Sequence, residues 1–241
     1  MNLYPVVILA GGLASRLRPI TEKIPKSLVE VGGRPFIEHQ LRLLRARNIK
    51  EVIILAWYRG DMIQQYAGDG RDFGLNIAYA FDGAAPLGTG GAIRKALNLL
   101  SSPFFVLYGD AYLPCDYESI QSYFDKRTQL GLMTTYYNHG QWDTSNIELA
   151  GGKILEYNKK NHTPRMQYID YGLGIFRPAV FEQLPEGQPV DLADIYQDLV
   201  VKDQLLAYEV KERFYEIGSF EGLNELDVLL TERPDRFIKR I

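Results

Sequence analysis

Apolar residues in this chain come in short solid runs, separated by stretches in which they recur every three or four positions. The runs at 6–10 (VVILA), 52–56 (VIILA), 77–81 (IAYAF) and 104–108 (FFVLY) leave almost nothing polar for a wet face. They predict strands covered on both sides, the habit of a parallel sheet. Between them the spacing turns helical. Pro35 opens a helix that runs to about Arg47 and carries Ile37, Leu41 and Leu44 on one side. A second helix spans 61–66 and stops at Gly68-Asp69-Gly70, and a third, over 92–100, follows Gly88-Thr89-Gly90-Gly91. A short extended piece at 29–31 ends on Gly32-Gly33. Strands alternating with helices imply βαβ units with right-handed crossovers.

The second half reads differently. Strands are predicted at 132–137, 145–149, 153–157 and 172–176, with a turn at Gly151-Gly152, then two short ones at 205–210 and 213–217. Helices are predicted at 191–202, with Asp191 as N-cap, and at 219–230, with Ser219 as N-cap. Position 222, where a capping box would place Glu or Gln, is Gly222, so that cap is expected to be partial. The second half is expected to extend the sheet in mixed fashion and to cap one edge. With no repeat, low-complexity tract or linker, the chain reads as one α/β domain over residues 1–241. Ligands of open α/β sheets sit beyond the carboxyl ends of the strands. Gly11-Gly12, the stretch 83–91 and Gly109-Asp110 all follow predicted strands and are expected on one rim.

Composition changes this picture little. Of 241 residues, 46% are hydrophobic and 24% charged, enough for a sizeable core. The net charge of -3 argues against a nucleic-acid binder. Charge is uneven, however: residues 16–50 hold nine Lys or Arg against three Glu, part of them (Arg42, Arg45, Arg47) on the wet side of a helix. The single cysteine, Cys115, excludes an intrachain disulfide and fits a reducing compartment. Neither a signal peptide nor a membrane span is expected, so a cytoplasmic protein is. His39, His139 and His162 have no metal-ligand spacing, and H-E-x-x-H, G-x-S-x-G and C-x-x-C are absent.

The chemistry concentrates at 6–26, VVILAGGLASRLRPITEKIPK. A buried strand breaks at two glycines and opens into a loop with Arg16, Arg18, Lys23 and Lys26. Glycines let backbone N–H groups approach an anion, and arginine and lysine supply the countercharge. Neither a Walker A loop nor G-x-G-x-x-G is present. The stretch resembles instead the signature of the sugar-1-phosphate nucleotidylyltransferases, L-A-G-G-x-G-T-R-L-x-P-x-T followed by P-K. Here it reads Leu9 to Thr21, then Pro25-Lys26, with Ala14-Ser15 in place of Gly-Thr.

Three further segments carry the resemblance. Pro86-Leu87-Gly88-Thr89-Gly90-Gly91-Ala92 is similar to the segment of heptose and mannose 1-phosphate guanylyltransferases. The Glu or Gln that often precedes it is replaced by Ala84-Ala85, leaving Asp82 as the nearest acid. Tyr108-Gly109-Asp110 matches a G-D at a strand end, and Tyr215-Glu216-Ile217-Gly218-Ser219 stands where the family has D-[IVL]-G. Tyr157-Asn158-Lys159-Lys160 and Ile169-Asp170-Tyr171-Gly172 stand where relatives place E-K and N-A-G.

The resemblance implies a Rossmann-like, GT-A-type nucleotidyltransferase fold. It implies that a sugar 1-phosphate attacks a nucleoside triphosphate, GTP ahead of UTP and CTP, with Mg²⁺ as cofactor. It makes Arg16, Lys26 and Asp110 catalytic, with Asp110 and Glu216 on the metal. Leu9, Ala10, Gly11, Gly12, Asp82, Gly88, Thr89, Gly90 and Gly91 would bind nucleotide, and Asn146, Lys159, Lys160, Asp170 and Gly172 the sugar phosphate. Two rivals stay open: a nucleotide-sugar-dependent glycosyltransferase, disfavoured because Ala111-Tyr112 follow Asp110 where D-x-D would continue, and a non-catalytic homologue that binds nucleotide sugars.

Overall fold

Residues 2–238 are described in a computed structural model. Along the chain run β1 (Val6–Leu9), β2 (Glu30–Val31), β3 (Arg34–Pro35), α1 (Phe36–Ala46), β4 (Glu51–Ala56), α2 (Gly60–Ala67), β5 (Asn76–Phe81), α3 (Gly88–Lys95), β6 (Phe104–Tyr108), β7 (Ala111–Tyr112), α4 (Tyr117–Asp125), β8 (Gly131–Tyr137), β9 (Ile147–Ala150), β10 (Lys153–Tyr157), β11 (Tyr168–Phe176), α5 (Ala179–Glu182), α6 (Leu192–Val201), β12 (Leu205–Glu209), β13 (Tyr215–Glu216) and α7 (Phe220–Glu232). Three 3-10 turns, Ser15–Leu17, Ile20–Glu22 and Lys26–Leu28, fill the stretch between β1 and β2. The chain gathers into two units that interleave along the sequence. The first takes Met1–Pro86, Leu107–Pro114 and Phe214–Ile241, and the second Leu87–Val106 and Cys115–Arg213.

In the first unit β1 pairs in parallel with β4, Val6 opposite Val52, and β4 with β5, Glu51 opposite Asn76. In β1 and β4 the apolar runs are solid because both faces are covered: Val6, Val7 and Ile8 are buried, as are residues 52–56, whereas β5, at the end of the sheet, is only half-buried and leaves Phe81 exposed, against the expectation for 77–81. Helix α1 buries Ile37, Leu41 and Leu44 at the predicted spacing. Its Glu38 accepts hydrogen bonds from Arg34 and Arg42 at 2.8 Å each and from the Tyr66 hydroxyl of α2. Burial alone would push this carboxyl up, but the Tyr66 and arginine hydrogen bonds hold it at about 2. A short antiparallel ladder joins β7 to β13, Glu216 opposite Ala111. Val31, Phe36, Leu43, Tyr112, Tyr215, Ile217, Leu226 and Leu230 form one cluster over it. At ~1.5–3 kcal/mol for each large apolar side chain removed from water, this cluster fastens the 107–114 and 214–238 segments to the rest of the unit.

The second unit holds a mixed sheet. Strand β8 pairs antiparallel with β11 and parallel with β12; β11 meets β9 at Tyr168 opposite Ile147, and β9 and β10 form a hairpin. Its turn uses Gly151 and Gly152, both at positive φ. The α/β class expected from the sequence holds, with parallel strands in the first unit and the mixed character in the second. Several details differ. Helix α3 begins at Gly88 and ends at Lys95, where 92–100 was expected. Strand β11 begins at Tyr168, four residues before the predicted 172, so that Asp170 lies inside it. Helices α4 and α5 were not expected. Among the described residues no helix is long and apolar enough to cross a membrane.

Candidate active site

In the first unit the ends of β1 and β6 are held together by backbone. The Gly109 amide donates to the Leu9 carbonyl at 3.0 Å. A Cβ on Gly109 would stand 2.4 Å from that carbonyl oxygen, so only glycine permits the approach. Asp110 follows directly, and its own carbonyl accepts the Ile217 amide at 2.9 Å. Gln40 of α1, buried, donates to the carbonyls of Ala111 (2.8 Å) and Tyr108 (3.3 Å), fixing the turn that carries Asp110. The Lys26 ammonium donates to Asp110 Oδ2 at 2.9 Å, with the lysine 16% and the aspartate 34% exposed. A pair this open to water contributes little to stability. What it does is hold an ammonium beside a carboxylate at the end of a strand.

Glu216 reaches the same spot from β13. A Cβ built on Gly218 would lie 2.6 Å from Glu216 Oε2, 3.1 Å from Arg16 Nη2 and 3.3 Å from Asp110 Oδ2, so all three side chains surround one glycine. The Glu216 carboxylate also crowns α7. It accepts the Gly218 amide, the Ser219 amide at 3.2 Å and the Ser219 hydroxyl at 2.6 Å, while Ser219 Oγ accepts the Gly222 amide at 3.0 Å. The partial cap expected at Ser219 is therefore complete, because Glu216 supplies from before the helix what a residue at 222 would have supplied from within it. A Cβ on Gly222 would meet Glu216 Oε1 at 1.9 Å. The glutamate in this position requires a glycine at 222, and the Glu216 backbone carbonyl, 2.6 Å from the same Cβ, adds to the demand.

Asp110 and Glu216 offer only oxygen donors, which suits a hard divalent cation. Among the described residues no cluster of three or more His, Cys, Asp or Glu could hold a metal. Two carboxylates fit an ion that takes its remaining ligands from water and phosphate.

The 11–26 loop has its own scaffolding. The Ala10 amide is spent on Leu55 O at 2.7 Å. Nothing stands within 4 Å of where a Gly12 Cβ would be, and Gly11 would meet only ordinary contacts with Trp57. Ala14, where the family signature has glycine, sits at φ 50, ψ 45. This left-handed conformation costs an alanine ~1–2 kcal/mol. The buried Thr21 hydroxyl donates to the Ala14 carbonyl at 2.9 Å and holds the turn. Arg16 is exposed on the 3-10 turn that follows. Asp82 lies just past β5, its amide bonded to Ala56 O at 3.1 Å.

The second unit holds the remaining residues in two groups. In the first, the glycines of 88–91 face the backbone of 188–190. The Gly90 and Gly91 amides donate to Val190 O at 2.8 and 3.2 Å. A Cβ on Gly88, at φ +69, would stand 2.6 Å from Val190 O, and one on Gly91 2.6 Å from Gln188 O. Thr89 Oγ1 accepts the Leu192 amide at 2.7 Å and donates to Asp191 Oδ1 at 3.2 Å, beside the predicted Asp191 cap of α6. In the second group, Asn146 Oδ1 accepts the Asp170 amide at 3.2 Å, and Asp170 Oδ1 accepts the Gly172 amide at 3.0 Å. The Tyr157 hydroxyl donates to Asp170 Oδ2 at 3.4 Å. Burial, with the Asp170 charge beside it, pushes the Tyr157 phenol up, so it stays a donor. Asn158 Oδ1 accepts the amides of Lys160 and Asn161 at 3.0 and 2.9 Å, a turn that presents Lys159 and Lys160 to solvent.

Sequence reasoning missed Gln40 and gave no role to Thr21, Tyr157 or Asn158, although Thr21 closes the signature and the other two lie in the segment before the lysines. Asn158 had a further signal, an Asx turn ahead of two lysines. Gln40 is recognisable only through what it touches.

Comparison with known proteins identifies the family. Residues 5–233 match the nucleotidyl transferase family. The N-acetylmuramate alpha-1-phosphate uridylyltransferase of Neisseria meningitidis is 28% identical over 92% of this chain and 96% of its own length. The D-glycero-alpha-D-manno-heptose 1-phosphate guanylyltransferase of Campylobacter jejuni is 36% identical over 48% of this chain and 51% of its own. Several other relatives are longer, the chain spanning 54–60% of their length. The solved inositol-1-phosphate CTP transferase of T. maritima superposes with a TM-score of 0.81 at 16% identity, covering 100% of this chain and 99% of that one, which shows a shared fold. Motifs, fold and family match agree, and the chain belongs to the nucleotidyl transferase family.

Proposed function

We propose that this chain is a sugar-1-phosphate nucleotidylyltransferase acting as one domain over residues 1–241. The observation that carries the reading is the meeting of Arg16, Asp110 and Glu216 around Gly218, with Lys26 paired to Asp110: two cations and two carboxylates drawn from three separate stretches of chain. Arg16 grips the outer phosphates of a nucleoside triphosphate. Lys26, already held at the spot by Asp110, neutralises the α-phosphate. An oxygen of the sugar 1-phosphate attacks the α-phosphorus in line, the bond from that phosphorus to its bridging oxygen breaks, and pyrophosphate leaves. The nucleophile is already anionic, so no general base is needed, and the residues contribute positioning and charge. Asp110 and Glu216 would hold a divalent ion, Mg²⁺ by donor type, which adds charge neutralisation on the phosphates.

The backbone of residues 9–12, Asp82 and the 88–91 segment bind the nucleotide, and Asn146, Lys159, Lys160, Asp170 and Gly172 the sugar phosphate. GTP ranks first, because the segment 86–92 resembles guanylyltransferases and the Campylobacter relative is one. UTP is second, as the Neisseria relative is a uridylyltransferase, and CTP third. Cys115, the single cysteine, is buried as a reduced thiol, which suits a cytoplasmic protein. Pyrophosphate release measured with each of four nucleoside triphosphates against a panel of sugar 1-phosphates tests the proposal. Release with GTP and a hexose or heptose 1-phosphate is the expected result. Folded protein that releases none with any pair would overturn it in favour of non-catalytic nucleotide-sugar binding.

A further inference from the structure

Two side chains outside the residues assigned so far grip the 11–26 loop from the end of β4. Arg59 stands at φ +52 just ahead of α2, and Gly60 after it has no room for a Cβ, which would lie 2.6 Å from Ala56 Cβ and 2.9 Å from the Phe81 ring. This sharp turn aims Tyr58 and Arg59 at one backbone atom. The Tyr58 hydroxyl donates to the Glu22 carbonyl at 3.1 Å and accepts Arg59 Nε at 2.9 Å, while Arg59 Nη2 donates to the same carbonyl at 3.1 Å. All three bonds lie at the surface, where they do little for global stability. Glu22 adjoins Thr21, whose hydroxyl holds the left-handed Ala14, and the Ala14 carbonyl also accepts the Leu17 amide at 3.1 Å. Tension at Glu22 therefore passes through Thr21 to Ala14 and the turn that carries Arg16.

We infer that Tyr58 and Arg59 are positioning residues that hold the loop in its phosphate-ready shape by anchoring the Glu22 carbonyl, Arg59 serving as a clamp on the backbone and not as a phosphate ligand. The inference rests on the proposed role of Arg16. Without the anchor, Ala14 can relax to an ordinary conformation, and nucleotide must then bind the fraction of molecules that retain the strained one. Apparent affinity falls while the chemistry of bound substrate is kept.

The test uses the full chain with Tyr58→Phe, Arg59→Met, the double variant, and Arg59→Met combined with Ala14→Gly. Amide hydrogen exchange at Leu17 and Arg18 is followed without ligand. GTP and UTP binding, KM, kcat and melting temperature are measured beside it. Arg59→Met is expected to speed exchange at Leu17 and raise nucleotide Kd and KM by about tenfold, the factor equivalent to one ordinary net hydrogen bond, with kcat and melting temperature nearly unchanged. Ala14→Gly should return most of the lost affinity, because glycine adopts the left-handed turn without strain. Unchanged exchange at Leu17 in the double variant would overturn the anchor, whatever the loop binds. Faster exchange with unchanged nucleotide affinity, in a protein whose Arg16→Ala variant binds nucleotide weakly, would overturn its link to binding. An Arg16→Ala variant with normal nucleotide affinity would overturn the phosphate-loop reading itself, and the exchange result would still decide the anchor.

Discussion

Gly11-Gly12 and the glycines of 88–91 both follow a strand and both sit in motifs expected to meet nucleotide, yet their surroundings differ. Around Gly12 nothing stands where a side chain would be, while at Gly88 and Gly91 the carbonyls of Val190 and Gln188 already occupy that place. Gly12 leaves room for something outside the chain, while Gly11 beside it lies against Trp57. The 88–91 segment admits the chain's own backbone, and its Gly90 and Gly91 amides are already bonded to Val190. A glycine-rich motif in sequence therefore carries two different demands, and the neighbour of the missing Cβ tells them apart.

Substitutions can break or sharpen this contrast. The largest effect is expected from Lys26→Ala on the open side: a loss of about 10²–10³ in kcat, the usual size for one donor to a developing charge, with the melting temperature unmoved. Wild-type turnover in that variant would remove the catalytic half of the contrast. Gly88→Ala should instead cost stability, about 1–3 kcal/mol from forced overpacking, read as a lower urea midpoint. An unshifted midpoint would mean that the 188–190 backbone yields easily. Thr89→Val removes the hydroxyl that accepts the Leu192 amide at the start of α6, and about 1 kcal/mol should go with it; thermal unfolding measures this. Gly12→Ala is the smallest in stability, within about 0.5 kcal/mol, but it should raise KM for the nucleotide several-fold. Should Gly12→Ala prove as destabilising as Gly88→Ala, the two segments would be alike after all.

The apolar runs of β1, β4 and β6 were legible because strands covered on both faces cannot hide a polar residue, and the run at 104–108 has the limits of β6 as expected; the run at 77–81 is as apolar but forms the half-buried β5, since its place at the end of the sheet is set by pairing and not by its own residues. Gly88 was misread because glycine counts against a helix, whereas here Val190 O satisfies the first amides of α3 from elsewhere in the unit. Helix α4 had a signal that went unused: Asp116 caps it, and Tyr117, Ile120 and Phe124 recur at helical spacing. Asp170 was expected ahead of a strand. It lies within one because β11 shifts register between Asp170 and Gly174. Of the candidate site, Arg16, Lys26, Asp110 and Glu216 were legible as motif positions. The fit between Glu216 and Gly222 was not, since a glycine six residues downstream reads as a missing partner until the carboxylate is seen in its place.

The ladder between β7 and β13 has a consequence for how the protein comes into being. Asp110 and Glu216 become neighbours only when β13 folds back on β7, a strand about a hundred residues before it. A ribosome adding ~5–20 residues per second must therefore pass Glu216 before that residue can join Asp110, and such long-range pairings form late because loop closure precedes its reward. A nascent chain can display the Arg16 and Lys26 loop early, but its second carboxylate arrives last. The partly made protein therefore carries the two cations of the candidate site without its second carboxylate.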